Sequence, residues 1–174
     1  FKKAQYIMLG KCSFDTLVQK ASGFRQSLII VNTKKSAREL YQMASGNKYH
    51  LSALMTPVDR EQTIIQIKAD IQKGKQVTVV STSLMEAGID LDFEVVFREL
   101  NGLDSILQAG GRCNREGKRD SGEVFIFEKE DEMISKEIRI NTAKKLLASH
   151  QEITSKECIE QYYNEIFFFL RKSN

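Results

Sequence analysis

Five short apolar runs, separated by segments with helical spacing, constrain the fold of this chain more than any other feature. The runs are Ser27–Asn32, His50–Met55, Gln76–Val80, Val95–Glu99 and Glu123–Glu128. Runs of this length with little polar alternation are typical of strands that are buried on both faces. Because helical segments of roughly 10–15 residues lie between most of them, the pattern predicts an α/β fold with a parallel sheet flanked by helices.

The helical segments carry their own start and stop signals. One segment, Lys34–Ser45, follows the first run, and another, Leu103–Asn114, follows the fourth. Between them, the TPVD sequence at Thr56 supplies an N-cap, a proline at the first helical position and an acid two residues later. This helix is predicted to run to about Lys73, with Gly74 as its terminator. Its predicted buried side consists of Ile64, Ile65, Ile67 and Ile71.

The pattern becomes wholly helical after Asp131. The apolar positions of one predicted helix are Met133, Ile134, Ile138, Leu146 and Leu147, and those of a second are Ile153, Cys158, Ile159, Tyr162, Ile166 and Phe169. Three successive phenylalanines, Phe167 to Phe169, cannot all face one side of a helix. We therefore predict a sheet domain over residues 1–130 and a helical C-terminal extension over residues 131–174 that packs on it.

The composition excludes several classes of protein. Its 41% hydrophobic and 28% charged residues are typical of a globular domain, and a net charge of +3 is too small to predict a nucleic-acid partner by itself. Three distant cysteines without CxxC spacing argue against a disulfide scaffold or a structural zinc site. No apolar run of about 18 residues or signal peptide is present, so we expect a cytoplasmic protein without a membrane partner. Because the chain begins with Phe1, we expect it to be part of a longer protein.

The first candidate for chemistry is the sequence STSLMEAGIDLDF, which begins at Ser81 directly after a predicted strand. In parallel α/β sheets, ligands bind at the carboxyl ends of the strands. Hydroxyl and main-chain N–H groups there can donate to phosphate oxygens, Gly88 permits close approach of a ligand, and Asp90 can accept hydrogen bonds from a ribose. An N-cap serine followed by a short helix and a turn glycine would give the same pattern, and both interpretations stay open.

The second candidate is the sequence QAGGRCNREG, which begins at Gln108. On a continuous helix Arg112 and Arg115 would share one face, and paired guanidinium groups suit phosphate binding. Gly110 and Gly111 each cost a helix about 1 kcal/mol relative to alanine, which points to close packing or to the approach of a ligand. A solvated arginine pair at a helix end, favourable to the helix dipole, is the alternative.

Together, the two segments resemble motifs V and VI of the superfamily 2 helicases. Their sequences are most similar to those of the CRISPR-associated helicase-nuclease family of type I interference systems, and the resemblance extends from Ser27 to Glu128. It implies a RecA-like fold for the sheet domain. It also implies that Arg115 is the arginine finger that meets the γ-phosphate of ATP, that Arg112 assists at the same phosphates, and that Gln108 couples the nucleotide to neighbouring segments.

The resemblance also implies binding roles for other residues. Gly88 and Asp90 would line the nucleotide cleft together with the two arginines. The implied contacts to single-stranded DNA are Ser81, Thr82, Asn32 and Thr33, with Ser52 and Arg60 as further candidates. For Ser52 and Arg60, an ordinary position on a strand or a helix surface is an equal alternative.

The chain lacks the G-x-x-x-x-G-K-[ST] loop that cradles the β- and γ-phosphates. Asp131-Glu132 looks like an Asp-Glu box but follows the second motif, and His50 and His150 are isolated, so we predict no metal site here. The chain therefore resembles the second lobe of a two-lobed motor, in which ATP lies between the lobes and the first lobe holds Mg²⁺. Alone, it is expected to be inactive.

The resemblance implies partners: single-stranded DNA, the first RecA-like lobe and the nuclease domain of the same protein, and a CRISPR surveillance complex. Three alternatives remain from the residues themselves. The chain could be a lobe of another superfamily 2 motor on RNA or DNA, a stand-alone nucleic-acid-binding module, or an unrelated α/β nucleotide-binding domain. The last would explain one motif but not a second of matching type, order and distance.

Overall fold

The computed structural model describes residues 4–82, 91–113, 122–131, 137–149 and 152–173. The strands in these ranges are β1 (Ala4–Cys12), β2 (Gln26–Val31), β3 (Lys48–Leu51), β4 (Val77–Thr82), β5 (Val95–Glu99) and β6 (Gly122–Lys129). The helices are α1 (Phe14–Ser22), α2 (Lys34–Met43), α3 (Pro57–Gln72), α4 (Leu103–Gly110), α5 (Ile138–Ser149) and α6 (Lys156–Lys172). The strands form one sheet in the order β1-β6-β5-β2-β4-β3, and every neighbouring pair is parallel. This arrangement confirms the predicted α/β class.

Two elements at the start of the chain, β1 and α1, were not predicted. Strand β1 lies at the edge of the sheet, pairs with β6 alone and is only partly buried along most of its length. It also contains a bulge between Met8 and Gly10, where Gly10 has a φ of 74°. An edge strand with a bulge shows neither a continuous apolar run nor a regular alternation, so the sequence pattern does not reveal it.

Apolar side chains form one cluster on each face of the sheet. Helices α1 and α2 cover one face, where Leu17 and Leu40 are fully buried in the same apolar cluster as Phe97 of β5. The other face carries α3, α4, α5 and α6, and residues of the C-terminal helices such as Leu146 and Tyr162 belong to the same apolar cluster as the strands. Phe167, Phe168 and Phe169 are all exposed. None of the helices in the described ranges has the length and apolar character that a membrane span requires.

Helix α3 begins as predicted. The Oγ1 atom of Thr56 accepts a hydrogen bond from the backbone N–H of Asp59 at 3.1 Å, and Pro57 occupies the first turn. The predicted buried side is wrong at Ile65, which is 60% exposed, whereas Ile67 is fully buried. Each helical residue advances by about 100°, so a stripe centred on residues 64, 67 and 71 turns residue 65 towards solvent.

A buried carboxylate joins β3 and α3 at the amino end of the sheet. Asp70 accepts hydrogen bonds from the Tyr49 hydroxyl at 2.5 Å and from Nδ2 of Asn47 at 2.9 Å, and Lys75 lies 3.7 Å away. The hydrogen bonds from Asn47 and Tyr49 lower the pKa of Asp70 below its ordinary value, and the bond to Asp70 raises the pKa of Tyr49 to about 12. These contacts stabilise the ionised form of Asp70 in the folded chain.

The Asp70→Asn variant is therefore expected to be less stable than the wild type at neutral pH. A carboxyl whose pKa is lower in the folded than in the unfolded chain stabilises the fold above its unfolded pKa, and this stabilisation is lost as pH falls through the folded pKa. The difference in the free energy of unfolding, measured with urea, should thus shrink once the pH falls below the ordinary pKa of 3.8. A difference that stays constant across that range would contradict the account.

Candidate functional site

The carboxyl ends of three neighbouring strands bring the predicted nucleic-acid contacts to one edge of the sheet. Asn32 and Thr33 follow β2, Ser81 and Thr82 end β4, and Ser52 follows β3. In the strand order β2 lies beside β4 and β4 beside β3. Because neighbouring strands are about 4.8 Å apart, these backbone positions lie within about 10 Å of one another across the sheet. Residues from three distant parts of the sequence therefore share one edge.

These candidates differ in the exposure and the hydrogen bonds of their side chains. Thr33 is exposed and caps α2, with its Oγ1 accepting from the N–H of Ser36 at 3.1 Å. Ser52 is buried, and its hydroxyl accepts from the N–H of Leu54 at 3.2 Å. The turn that follows ends β3 at Leu51, four residues before the predicted end at Met55.

The remaining candidates are Ser81 and Thr82 on β4 and Arg60 on α3. Ser81 and Thr82 are both buried, and the Ser81 hydroxyl donates to the carbonyl of Thr82 at 2.9 Å. Arg60 lies in the first turn of α3, half-buried, with its N–H bonded to the carbonyl of Thr56 at 2.9 Å. Thr33 is thus the most accessible hydroxyl of this set.

The second candidate segment follows β5. Gln108 is exposed on α4, and Arg112 is 7% exposed. The predicted helix to Asn114 is too long, because α4 ends at Gly110 and the N–H of Gly111 closes its last turn on the Leu107 and Gln108 carbonyls. Arg112 therefore lies beyond the helix rather than on its face. The other predicted nucleotide residues, Arg115, Gly88 and Asp90, lie outside the described residues.

The end of the first candidate segment meets the middle of the second. The N–H of Phe93 donates to the carbonyl of Arg112 at 3.0 Å, and Phe93 and Cys113 form an isolated parallel bridge. Both side chains are fully buried. The Cys113 thiol lies 3.4 Å from the carbonyl of Glu123, so it is a packing residue at this junction. The structure thus joins the end of the first motif to the middle of the second through backbone contacts.

Gly110 is required by packing. A Cβ on Gly110 would lie 2.7 Å from Cζ of Tyr6 and closer still to the Tyr6 hydroxyl oxygen, a separation that real Cβ atoms do not adopt. Helix α4 therefore approaches the edge strand β1 closely because residue 110 has no side chain. Of the two explanations for the glycine pair, close packing accounts for Gly110.

A Gly110→Ala variant is expected to lose about 1–3 kcal/mol of stability, the typical cost of overpacking. The change should be coupled to Tyr6→Leu, which removes the ring that the new methyl group meets. In a double-mutant cycle measured by urea unfolding, Gly110→Ala should cost less in the Tyr6→Leu background than in the wild type. Equal costs in both backgrounds would show that contact with Tyr6 is not the reason that residue 110 must be a glycine.

The sequence did not reveal a polar network at the carboxyl ends of β2 and β5. Oδ1 of Asn32 accepts from Nη1 of Arg98 and from Nδ2 of Asn101, both at 2.9 Å. Nδ2 of Asn32 donates to the carbonyl of Leu100, and its backbone N–H donates to Oε1 of Glu99, both at 3.0 Å. The available signal was the charged pair Arg98-Glu99 at the end of an otherwise apolar run.

Arg98 and Glu99 are the most deeply buried charged groups of this network, each at 1% exposure. Burial lowers the pKa of Arg98 to about 10, while the carboxylates of Glu99 and Asp104 oppose that change, so the guanidinium stays protonated at neutral pH. Nearby, the Tyr162 hydroxyl donates to Asp104 at 3.3 Å, and burial with the charge of Asp104 raises the pKa of Tyr162 to about 12. Among the described residues, no group of three or more His, Cys, Asp or Glu side chains could hold a metal ion.

Comparison with known proteins identifies the family. The domain family described as CRISPR-associated nuclease/helicase Cas3, C-terminal, matches residues 24–118, which include both candidate segments. This chain belongs to the Cas3-like C-terminal family. The family match confirms the resemblance that the two motifs indicate.

Individual relatives agree with this assignment. A CRISPR-associated nuclease/helicase Cas3 from Haloferax volcanii is 44% identical over 81 residues, which are 44% of this chain and 8% of that protein. The protein of the same description from Methanothermobacter thermautotrophicus is 33% identical over 114 residues, 62% of this chain and 14% of the relative. The chain thus spans less than a fifth of the length of these relatives.

The fold is also found among solved structures. The crystal structure of T. fusca Cas3-AMPPNP matches with a TM-score of 0.74 at 17% identity, covering 96% of this chain and 24% of that one. At this identity the likeness establishes the fold alone, and it confirms the RecA-like architecture of the sheet and its helices.

Proposed function

We propose that this chain is the second RecA-like lobe of an ATP-driven translocase or helicase on single-stranded DNA that acts in CRISPR interference. The observation that carries the proposal is the Cas3 C-terminal match over residues 24–118, because it includes both motifs. The backbone bond between Phe93 and Arg112, which joins the two motif segments, supports a shared site.

In this proposal ATP binds between this lobe and a first lobe that supplies the phosphate loop and Mg²⁺. Arg115 is the arginine finger, which stabilises the charge that develops on the γ-phosphate during transfer. Arg112 assists at the same phosphates, Gln108 couples the nucleotide to neighbouring segments, and Gly88 and Asp90 line the cleft. Hydrolysis needs both lobes because it depends on positioning and charge stabilisation together. By itself the chain should therefore not hydrolyse ATP.

Single-stranded DNA is proposed to run along the carboxyl edge of β2, β4 and β3. The N-termini of α2 and α3 lie at this edge, and helix N-termini favour phosphate through their unpaired N–H groups and dipole. The proposed contacts are Asn32, Thr33, Ser52, Arg60, Ser81 and Thr82. Since such groups bind the backbone, the contacts should not depend on base sequence. A nuclease domain of the same protein and a CRISPR surveillance complex are the further proposed partners.

The arginine-finger role is tested by Arg115→Ala in the longer protein that contains this chain. Its turnover number for ATP should fall by roughly 10³-fold or more, because a finger acts mainly on the transition state. Nucleotide affinity should stay measurable, as followed by fluorescence titration. Arg139→Ala, which removes a surface arginine bonded to Glu137 at 2.9 Å, is the matched control and should leave turnover unchanged. Normal turnover of the Arg115→Ala variant would disprove the assignment.

The proposed DNA track is tested by Thr82→Ala and Ser81→Ala. Each lost hydrogen bond should weaken binding of single-stranded DNA by about 2- to 10-fold, with no dependence on sequence. Thr82→Ala should have the larger effect, since the Ser81 hydroxyl already donates within the chain. Thr78→Ala removes a buried hydroxyl at the other end of β4 and is the control.

Fluorescence anisotropy with single-stranded DNA and RNA of the same sequence measures these effects. Loss of affinity for some base sequences only would contradict a backbone contact. Tighter binding of RNA than of DNA would favour a lobe of an RNA motor instead.

A further inference from the structure

Arg98 occupies a position that stability alone does not explain. It lies on a strand whose five residues are all buried, and its side chain is 1% exposed. Nη1 donates to Asn32 and to the carbonyl of Glu99, but Nη2 has no hydrogen-bond partner among the described residues. A buried charged group with an unsatisfied donor costs free energy, and such a group in a native fold calls for an explanation.

The position of Arg98 lies between the two halves of the proposed site. In the sheet register Ile30 pairs with Ser81 on one side and with Arg98 on the other. Side chains of residues paired in this way point to the same face of a parallel sheet. Only β2 therefore separates Arg98 from the end of β4, where the DNA track is proposed, and Arg98 belongs to the strand that leads into α4.

The hydrogen bonds of Arg98 connect the turns that carry both sets of candidates. Through Oδ1 of Asn32, it holds the β2–α2 turn, in which Thr33 is the exposed candidate for DNA contact. The same Asn32 is bonded to Leu100 and Asn101 in the β5–α4 turn. Oδ1 of Asn101 in turn accepts from the N–H of Gly102 at 2.7 Å, directly before α4 begins. A displacement of the β2–α2 turn must therefore break these bonds or move the start of α4.

We propose that Arg98 is a positioning residue that makes ATP hydrolysis respond to DNA, by fixing the β2–α2 turn to the β5–α4 turn through Asn32. This inference rests on the proposed function. It adds a residue that touches neither DNA nor nucleotide but transmits the position of one turn to the helix that carries Gln108. Substitution of a residue that couples two sites can change the coupling although the residue contacts neither ligand.

The test uses the longer protein that contains this chain and compares Arg98→Met with Arg98→Lys. Methionine keeps most of the side-chain length but has no donor, whereas lysine can still donate to Asn32. For Arg98→Met, the ratio of DNA-stimulated to basal ATP hydrolysis should fall by about fivefold, within the range expected for a coupling residue. Basal hydrolysis and the Kd for single-stranded DNA should each stay within about twofold of the wild type, since Arg98 itself contacts neither ligand. Arg98→Lys should recover at least half of the stimulation.

Two further variants separate coupling from a loss of folding. Asp70→Asn removes hydrogen bonds from a buried network at the opposite end of the sheet and should keep full stimulation. Asn101→Ala removes a second donor from Asn32 without burying a new group, and it should lose stimulation in the same direction as Arg98→Met. If Arg98→Met does not fold, Asn101→Ala decides the question, and full stimulation in that variant would overturn the inference.

The outcomes distinguish this inference from the function on which it rests. Stimulation of Arg98→Met at the wild-type level would overturn the coupling role and leave the proposed function intact. Equal losses in Arg98→Met and Asp70→Asn, or no recovery in Arg98→Lys, would show that the residue is merely structural. A wild-type protein whose ATP hydrolysis does not respond to DNA would instead contradict the proposed function itself.

Discussion

The parallel pairing of β2 with β4 on one side and β5 on the other is the constraint on which the site depends. In a parallel sheet every strand ends at the same edge, so each strand-to-helix turn is delivered to that edge. All six residues of β2 are buried, which requires helices on both faces. The polar residues that follow β2, β3, β4 and β5 are far apart in sequence and meet only because of this pairing. Slipping or reversing one central strand would disperse them.

The position of α4 depends on contacts from opposite ends of the chain. Tyr6 of β1 lies against Gly110 at its C-terminal end, and Tyr162 of α6 donates to Asp104 in its first turn. A Cβ on Gly102 would lie 2.7 Å from the Tyr162 hydroxyl oxygen, so this approach also needs a glycine. The edge strand and the C-terminal helices are thus part of what holds the helix that leads to Arg112. The proposed division into a sheet domain and an extension does not make the extension dispensable for the site.

The sequence predicts those parts of the fold that are regular and fully buried. Strand β5 has the predicted bounds, and the start of α3 follows from the capping chemistry of Thr56. Strand β1 could not be predicted, because it is a bulged edge strand whose partner, β6, lies more than 100 residues later in the chain. Two further features arise from tertiary contacts that no local pattern contains. These are the early end of α4 and the network around Asn32.

The candidate site also has one part that the sequence predicts and another that depends on tertiary contacts. The two motifs indicate the family, which the Cas3 C-terminal match confirms. They do not indicate that Ser81 donates within the chain, that Arg112 is buried beyond the helix, or that Arg98 bonds to Asn32. Those properties depend on which strands are neighbours, and strand order is not encoded in any single segment.

The central claim is that this chain holds one half of an ATP-hydrolysing site. The most direct test expresses the chain with and without the preceding part of its reading frame and measures ATP hydrolysis with single-stranded DNA. The account predicts hydrolysis only in the longer protein, and stimulation of that hydrolysis by DNA. Hydrolysis by the 174-residue chain alone would contradict it, because a complete active site would then lie within these residues.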